Sequence, residues 1–419
     1  MKASISKSEI KGRVSAPSSK SYTIRGLVAA ALAHGQSEII SPLGSDDTEA
    51  AMGVLNNISV SVIQGEDGWR VSGGNFHEPT VDLFCRESAA TLRFMTAIGA
   101  LVPGKCRLTS QPSLARRPIE PLLQALRQLG IVCLQDETSA VIVKKDRLRG
   151  GVTELPGNIS SQFVSALLFI SPCADEAITI RLTTPLESRP FVLMTIECLE
   201  KFGIKVEYSA DLREYRTARQ IYQPTQYQVE GDWSSASYLL ALGALGGEIE
   251  VLNLNPSSLQ GDRVILDFLK EMGASITVSP GSITVRKSDL KAIEADLTDC
   301  IDLLPTMAVL AAAAEGTSRF RGIARAHLKE SDRPSAVGDG LTRMGIKITE
   351  KDNILSITGS PAKGAVIDSF GDHRIAMAFS LPGILAGDTI IDGAECVSKT
   401  YPEFWDILKS IGGKVKLDE

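Results

Sequence analysis

The stretch Leu269-Lys270-Glu271-Met272-Gly273-Ala274-Ser275-Ile276-Thr277-Val278-Ser279-Pro280-Gly281-Ser282-Ile283-Thr284-Val285 reads as the end of an amphipathic helix, a turn glycine, and two strands of period two around a Ser-Pro-Gly turn. Its weight lies in recurrence. A helical run closed by Leu-x-Gly-Ile-x-Val or a near variant places its glycine at Gly130, Gly203, Gly273, Gly345 and Gly412, with Asn57 in the first copy, a period of about 70 residues. A second marker keeps the same period. It is a helix of small apolar residues headed by Ser18-Ser19-Lys20-Ser21, Arg86-Glu87-Ser88, Asn158-Ile159-Ser160-Ser161-Gln162, Gly231-Asp232-Trp233-Ser234-Ser235, Asp299-Cys300-Ile301-Asp302 and Gly371-Asp372-His373-Arg374. Each copy therefore reads as helix, helix, strand, turn, strand.

The sixth copy runs out after Lys414-Val415-Lys416-Leu417, before its second strand, while residues 3–14 form an alternating strand with no helix ahead of it. The amino-terminal strand is expected to complete the last repeat. This places the chain in the α/β (α+β) class, as two domains of three repeats each: residues 18–230, and residues 1–17 with 231–419. The crossings fall at Ala16-Pro17-Ser18 and Val229-Glu230-Gly231-Asp232. A period this long exceeds the solenoid range, so closed globules are expected rather than an open array.

Composition agrees with a large mixed α/β protein: 419 residues, 43% hydrophobic and 22% charged. The longest apolar runs, Phe163 to Ile170 and Met307 to Ala314, are far short of the roughly 20 residues a membrane helix needs. The start lacks the apolar core of a secretory signal, and a cytoplasmic location is expected. Seven cysteines without Cys-x-x-Cys spacing read as reduced thiols, and four histidines form no metal-ligand pair. The net charge of −6 argues against a general attraction to nucleic acid or to an anionic membrane.

Any anion site must then be local, and the helix heads supply one, because a helix amino terminus offers unpaired N–H groups and the positive end of its dipole. Lys20, Arg25, Arg93, Arg117, Arg333, Arg374 and Lys399 lie in or beside these heads or in the loops after the helices. A cation near a helix end is by default a solvated surface charge, and serines at heads, here Ser18, Ser88 and Ser234, are by default N-caps. Ser160-Ser161-Gln162 exceeds that default, with three hydrogen-bonding side chains where one would cap. Lys329-Glu330-Ser331-Asp332-Arg333 reads alone as a charged helix start with Glu330 and Arg333 paired at i, i+3. Yet a pure anion binder gains nothing from carboxylates in its basic pocket. Asp302 and Glu330 among cations therefore suggest acid–base chemistry.

These residues carry a resemblance that covers the whole chain. Pro17-Ser18-Ser19-Lys20-Ser21-Tyr22-Thr23-Ile24-Arg25, Arg86-Glu87-Ser88-Ala89-Ala90-Thr91-Leu92-Arg93, Arg116-Arg117-Pro118, Gly157-Asn158-Ile159-Ser160-Ser161-Gln162, Lys329 to Arg333, Gly371 to Arg374 and Lys399-Thr400-Tyr401-Pro402 stand in the order of the motifs of the 5-enolpyruvylshikimate-3-phosphate synthases. The chain resembles that family of shikimate-pathway transferases, which serve chorismate and aromatic amino acid biosynthesis. The resemblance implies two inside-out α/β domains with the active site in the cleft between them, the first mainly for shikimate 3-phosphate and the second mainly for phosphoenolpyruvate.

It also implies a reaction. The 5-hydroxyl of shikimate 3-phosphate attacks C2 of phosphoenolpyruvate while C3 is protonated, and the tetrahedral adduct then loses phosphate, with no cofactor and no metal. By matching motif, Lys20, Ser21, Arg25, Ser160, Ser161, Gln162, Ser188, Asp302 and Lys329 are expected to contact shikimate 3-phosphate. Lys20, Ala89, Arg117, Gln162, Arg333, Arg374 and Lys399 are expected at phosphoenolpyruvate. Asp302 would accept the hydroxyl proton, Glu330 would exchange the proton at C3, and Lys20 could protonate the departing oxygen. The family is usually monomeric.

Departures qualify this expectation. Phe191 stands where many members have Tyr, Arg325 and His327 where many have Asn and Arg, and Ala89-Ala90 where many have Gly-Thr beside the site of the inhibitor glyphosate. Glu87-Ser88 in place of Asn-Ala looks like the archaeal branch. Two other enzymes are related, one by fold and chemistry and one, more distantly, by fold. The enzyme acting on UDP-N-acetylglucosamine carries a reactive Cys in the loop after its second repeat, and Thr109 to Pro118 has none. RNA 3'-phosphate cyclase is disfavoured by the acidic chain. A non-catalytic anion-binding protein is the alternative from another class.

Overall fold

The computed structural model describes residues 1–138, 141–144 and 148–418. The chain divides into two compact units, Ser18–Glu230 and Met1–Pro17 with Gly231–Glu419. The described residues form six four-stranded sheets, and each sheet joins one parallel pair to two antiparallel pairs. In the third repeat Gly151–Leu155 runs parallel to Ile178–Leu182, which pairs antiparallel with Glu214–Thr217, with Glu207–Tyr208 at the edge.

This corrects the repeat read from the sequence. The unit is strand, helix, strand, helix, strand, strand. Apart from residues 3–14, the strands ahead of the first helices and those between the helices were not read from the sequence. Some are very short, as at Leu83–Phe84, and many carry charged or polar residues on their exposed face, as at Gly35–Ile40. The amino terminus is also two strands rather than one. Lys2–Ser6 lies between Thr389–Asp392 and Lys414–Asp418 in the sixth sheet, whereas Ile10–Ser15 runs parallel to Gly247–Leu252 as the first strand of the fourth. Gln226–Gln228 does the same for the first sheet, parallel to Gly35–Ile40. In each unit, the strand that precedes the crossing stays behind and closes its own unit.

The arrangement is inside-out because the first helix of each repeat is apolar on all sides. Lys20–Leu32 is buried from Tyr22 to Leu32, Ser161–Ile170 at every position but Gln162, and Trp233–Gly246 from Trp233 to Ala244. A helix with no polar face can only sit in the middle, so the sheets lie outside, one face in the core and one in water.

The recurrent glycine ends the second helix of its repeat in the left-handed conformation, φ 88° at Gly130 and 83° at Gly345. The N–H of the next residue returns to the carbonyl five positions earlier, Ile131 to Leu126 and Ile346 to Leu341, which closes the helix and releases the chain into the hairpin. In the first copy this role belongs to Ser59 (φ 72°), with Val60 bonded to Leu55, and not to Asn57 as the sequence suggested.

Ile5 is buried at the centre of the sixth sheet, opposite Thr389 and Val415. Ile5→Ala is expected to lower stability by about 2–5 kcal/mol, measured by urea unfolding, even though it is only the fifth residue of the sequence. A change below about 0.5 kcal/mol would mean that this strand frays freely from the fold.

Candidate active site

In the unit containing Gly231 onward, one guanidinium organises the expected residues. The Arg333 side chain is 1% exposed and meets three carboxylates: Nε lies 2.8 Å from Asp372 Oδ2, Nη1 2.6 Å from Asp302 Oδ1, and Nη2 2.7 Å from Glu330 Oε2. Asp302 also takes Lys329 Nζ at 3.1 Å and Arg374 Nη2 at 3.3 Å, and Lys399 Nζ stands 4.0 Å from Glu330. Asp302, Lys329, Glu330, Arg333, Arg374 and Lys399 therefore form one connected cluster.

Local rules place each member. Asp302 sits in the 3-10 turn Ile301–Leu303, just ahead of the helix Leu304–Ala313. Asp372 caps His373–Ala386 by accepting from the Arg374 N–H, so one carboxylate both starts that helix and binds Arg333. Asp332 caps Arg333–Arg343 through the Ser335 N–H. The pairing of Glu330 with Arg333 at i, i+3 is real, but it is buried and belongs to a network.

The cations Lys329, Arg333, Arg374 and Lys399 face the carboxylates Asp302, Glu330 and Asp372, and Arg374 also feels Asp262 and Asp232, so charges of both signs alternate through the cluster. Burial pushes the Asp302 carboxyl up, but Arg374, Lys329 and Arg333 outweigh it and hold the group well below the usual carboxylate range. Burial lowers Lys329 from its ordinary value, against the pull of Asp302. Asp262 behaves in the opposite way. Burial first, then the charge of Asp302, push it up to about 7, while Arg374 and the hydrogen bond from Ser234 oppose the rise.

In the unit Ser18–Glu230, Lys20 opens the helix Lys20–Leu32, and its Nζ lies 2.8 Å from Asp47 Oδ2, a buried carboxylate in the first turn of Asp46–Asn57. Arg25, one turn further on, is buried between the Phe94 and Phe191 rings, 5.6 and 5.8 Å from their centroids. Its N–H groups go to Thr195 Oγ1 and to the Ser21 and Phe191 carbonyls. Phe191 thus holds Arg25 through its ring and its carbonyl. Ser160 caps Ser161–Ile170 through the Gln162 N–H. Ser188 holds a left-handed φ of 53° at the head of Arg189–Lys201. Ala89 opens Ala89–Ile98, and Arg93 bridges its carbonyl to that of Pro118, beside Arg117.

Two default caps were misplaced. Ser88 does cap its helix, but Ser19 and Asp232, not Ser18 and Ser234, cap theirs. Sequence reasoning also assigned no role to Asp47, Asp262 or Asp372. Acidic residues in a first helical turn were the available signal, as in Ser45-Asp46-Asp47-Thr48. Arg325 is buried and donates to the Thr298 carbonyl, and His327 bridges two carboxylates. All seven cysteines are free thiols. Among the described residues no helix is long and apolar enough to cross a membrane, and no group of His, Cys, Asp and Glu could hold a metal.

Each compact unit holds three four-stranded sheets, with cations and carboxylates at its helix heads, and comparison with known proteins assigns this architecture to the enolpyruvyl (carboxyvinyl) transferases. A family model described as EPSP synthase (3-phosphoshikimate 1-carboxyvinyltransferase) matches residues 5–408. The chain is 49% identical over 420 residues to the 3-phosphoshikimate 1-carboxyvinyltransferase of Dehalococcoides mccartyi, covering 100% of both, and 43% identical over 427 residues to that of Methanosarcina mazei, covering 99% of both. An EPSP synthase structure from Acinetobacter baumannii superposes with a TM-score of 0.84 at 25% identity, over 99% of this chain and 100% of that one. The chain belongs to the EPSP synthase family.

The raised Asp262 carboxyl sets a pH dependence. Its folded value lies above its unfolded one, so it adds stability below the unfolded value, and that stability is lost as pH rises from about 4 through 7. Asp262→Asn should remove this slope and be more stable than the parent at pH 8, on the order of 2–4 kcal/mol. Urea unfolding at pH 5 and pH 8 reads the difference, and equal slopes for the two proteins would contradict it.

Proposed function

We propose that this protein transfers the enolpyruvyl group of phosphoenolpyruvate to the 5-hydroxyl of shikimate 3-phosphate and releases phosphate. The observation that carries the reading is the placement of two acid–base candidates, Asp302 and Glu330, on the same buried guanidinium among Lys329, Arg374 and Lys399. A cluster built only to hold anions would be cationic throughout.

In this proposal Arg333, Arg374 and Lys399, with Arg117, Gln162 and Lys20, hold the phosphate and carboxylate of phosphoenolpyruvate, and Ala89 lies against it. Ser21, Arg25, Ser160, Ser161, Gln162 and Ser188 hold shikimate 3-phosphate, with Lys20, Lys329 and Asp302 also reaching it. The 5-hydroxyl oxygen bonds to C2 as its proton passes to Asp302, and Glu330 delivers a proton to C3. In the second step Glu330 takes a proton back from C3, the bond from C2 to the phosphate oxygen breaks, and Lys20 protonates that oxygen.

Asp302 is a weak base while three cations hold its carboxyl low. An anion that draws Arg333 and Arg374 onto its own oxygens relaxes that hold and raises the proton affinity of Asp302. Base strength is thereby tied to occupancy by phosphoenolpyruvate. We further propose that the protein acts in the cytoplasm as a monomer.

Phosphate release from phosphoenolpyruvate, in chelator, is expected with shikimate 3-phosphate and not with UDP-N-acetylglucosamine or without acceptor. Release with the sugar nucleotide alone would reassign the acceptor, and silence with both would favour a binding protein. Glu330→Gln should lower turnover by about 100-fold or more while leaving shikimate 3-phosphate affinity, read by calorimetry, nearly unchanged.

The first residue of Ala89–Ile98 gives a second test. Its methyl should crowd glyphosate, so Ala89→Gly should strengthen inhibition roughly tenfold, read from inhibition constants. Potent inhibition of the unmodified protein would refute this.

A further inference from the structure

His327 lies in the 3-10 turn Ala324–Leu328, with Nδ1 2.8 Å from Asp332 Oδ1 and Nε2 2.9 Å from Glu350 Oε1. A neutral imidazole has one N–H and one lone pair, so it can satisfy only one of these oxygens. Both contacts together require the imidazolium. Burial lowers the proton affinity of the ring, but the hydrogen bonds to Glu350 and Asp332 outweigh it, and the group sits above its ordinary value.

The two partners lie on different elements. Asp332 Oδ1 also accepts the Ser335 N–H at 3.1 Å as the cap of Arg333–Arg343, so one oxygen serves both helix and imidazolium. Glu350 belongs to the outer strand Lys347–Lys351. The contact from His327 to Asp332 closes a ring around Leu328-Lys329-Glu330-Ser331, and the contact to Glu350 fastens that ring to the sheet. Inside it stand Lys329, which reaches Asp302, and Glu330, which reaches Arg333.

The other charges nearby are engaged elsewhere. Arg325 donates to the Thr298 carbonyl, Arg333 is held by its three carboxylates, and Asp302 by Lys329, Arg333 and Arg374. Lys347 and Lys351 alternate onto the strand face opposite Glu350.

We propose that His327 is a positioning residue, whose imidazolium bridge to Asp332 and Glu350 holds the Lys329–Arg333 segment in the geometry that binds phosphoenolpyruvate, so that affinity falls when the bridge loses its proton. The inference rests on the functional reading above. The sign follows from linkage: the bridge is complete below the ordinary histidine value and is lost as pH rises through the elevated one. Because coupling is reciprocal, bound phosphoenolpyruvate should raise the proton affinity of His327.

The test compares the parent with His327→Arg, which keeps a charge and donors at every pH, and His327→Gln, which is never charged. At saturating shikimate 3-phosphate, the parent's KM for phosphoenolpyruvate should rise about fivefold relative to His327→Arg between pH 6 and pH 9. His327→Gln should hold the high-pH value throughout, and kcat should differ by less than about twofold among the three. Parallel KM profiles in all three proteins would overturn the proposal. If none of the three releases phosphate, the functional reading fails, and hydrogen exchange of the 329–333 amides still reads the bridge. Protection that falls with pH in the parent, stays high in His327→Arg and is low in His327→Gln supports the bridge, and equal exchange in all three overturns it.

Discussion

A guanidinium buried at 1% exposure needs partners for its N–H groups, and Arg333 draws three carboxylates from separate elements: the turn at Asp302, the helix cap at Asp372 and the loop at Glu330. Satisfying one side chain therefore fixes the heads of Leu304–Ala313 and His373–Ala386 and the segment before Arg333–Arg343 relative to one another. Such a lattice is a weak source of stability, since desolvating each charge costs several kcal/mol, about what the attraction returns. Removing one partner is a different matter, because it strands the others in a dry setting. The arrangement is better understood as a positional constraint, which holds two carboxylates capable of proton transfer at fixed distances from four cations.

The unit Ser18–Glu230 solves the same burial problem without acids at its central arginine. Arg25 gives its N–H groups to a hydroxyl and two carbonyls and rests between two aromatic rings. Neutral oxygens and ring faces accommodate the cation without cancelling it. Lys20, by contrast, is held by the Asp47 carboxylate. One unit thus seats its central arginine on neutral groups, as suits binding of an anion. The other interleaves cations with carboxylates, as suits chemistry on one.

Much of this was legible in the sequence because its determinants are local. Turn glycines such as Gly130 and Gly345, the all-apolar first helices and the hairpins each follow from short-range rules, and their period gave the six repeats and the crossing points. What was not legible depends on pairing. Leu83–Phe84 is a strand only because Lys105–Thr109 lies beside it, and residues 3–14 divide into two strands because Ile5 and Val14 belong to different sheets. The site divides in the same way. Lys20, Arg333 and Asp302 stand out by type and place, whereas Asp372 reads as an ordinary helix cap and Asp47 as an ordinary first-turn acid until the structure brings Arg333 and Lys20 to them. Ser19 and Ser18 are indistinguishable as caps by composition, and only the Tyr22 N–H settles which one serves.

The cluster also separates two buried carboxyls by environment alone. Asp302 is surrounded by Arg374, Lys329 and Arg333 and is held ionised. Asp262 has Arg374 but also feels the charge of Asp302, and it retains its proton to about 7. Each depends on the other: the more firmly Asp302 is ionised, the more Asp262 favours its neutral form. If an incoming anion takes Arg333 and Arg374 from Asp302, Asp302 can accept a proton, while burial still holds Asp262 up. Arg374 lowers both carboxyls, so what sets them apart is the further pair of cations at Asp302 against burial and the Asp302 charge at Asp262.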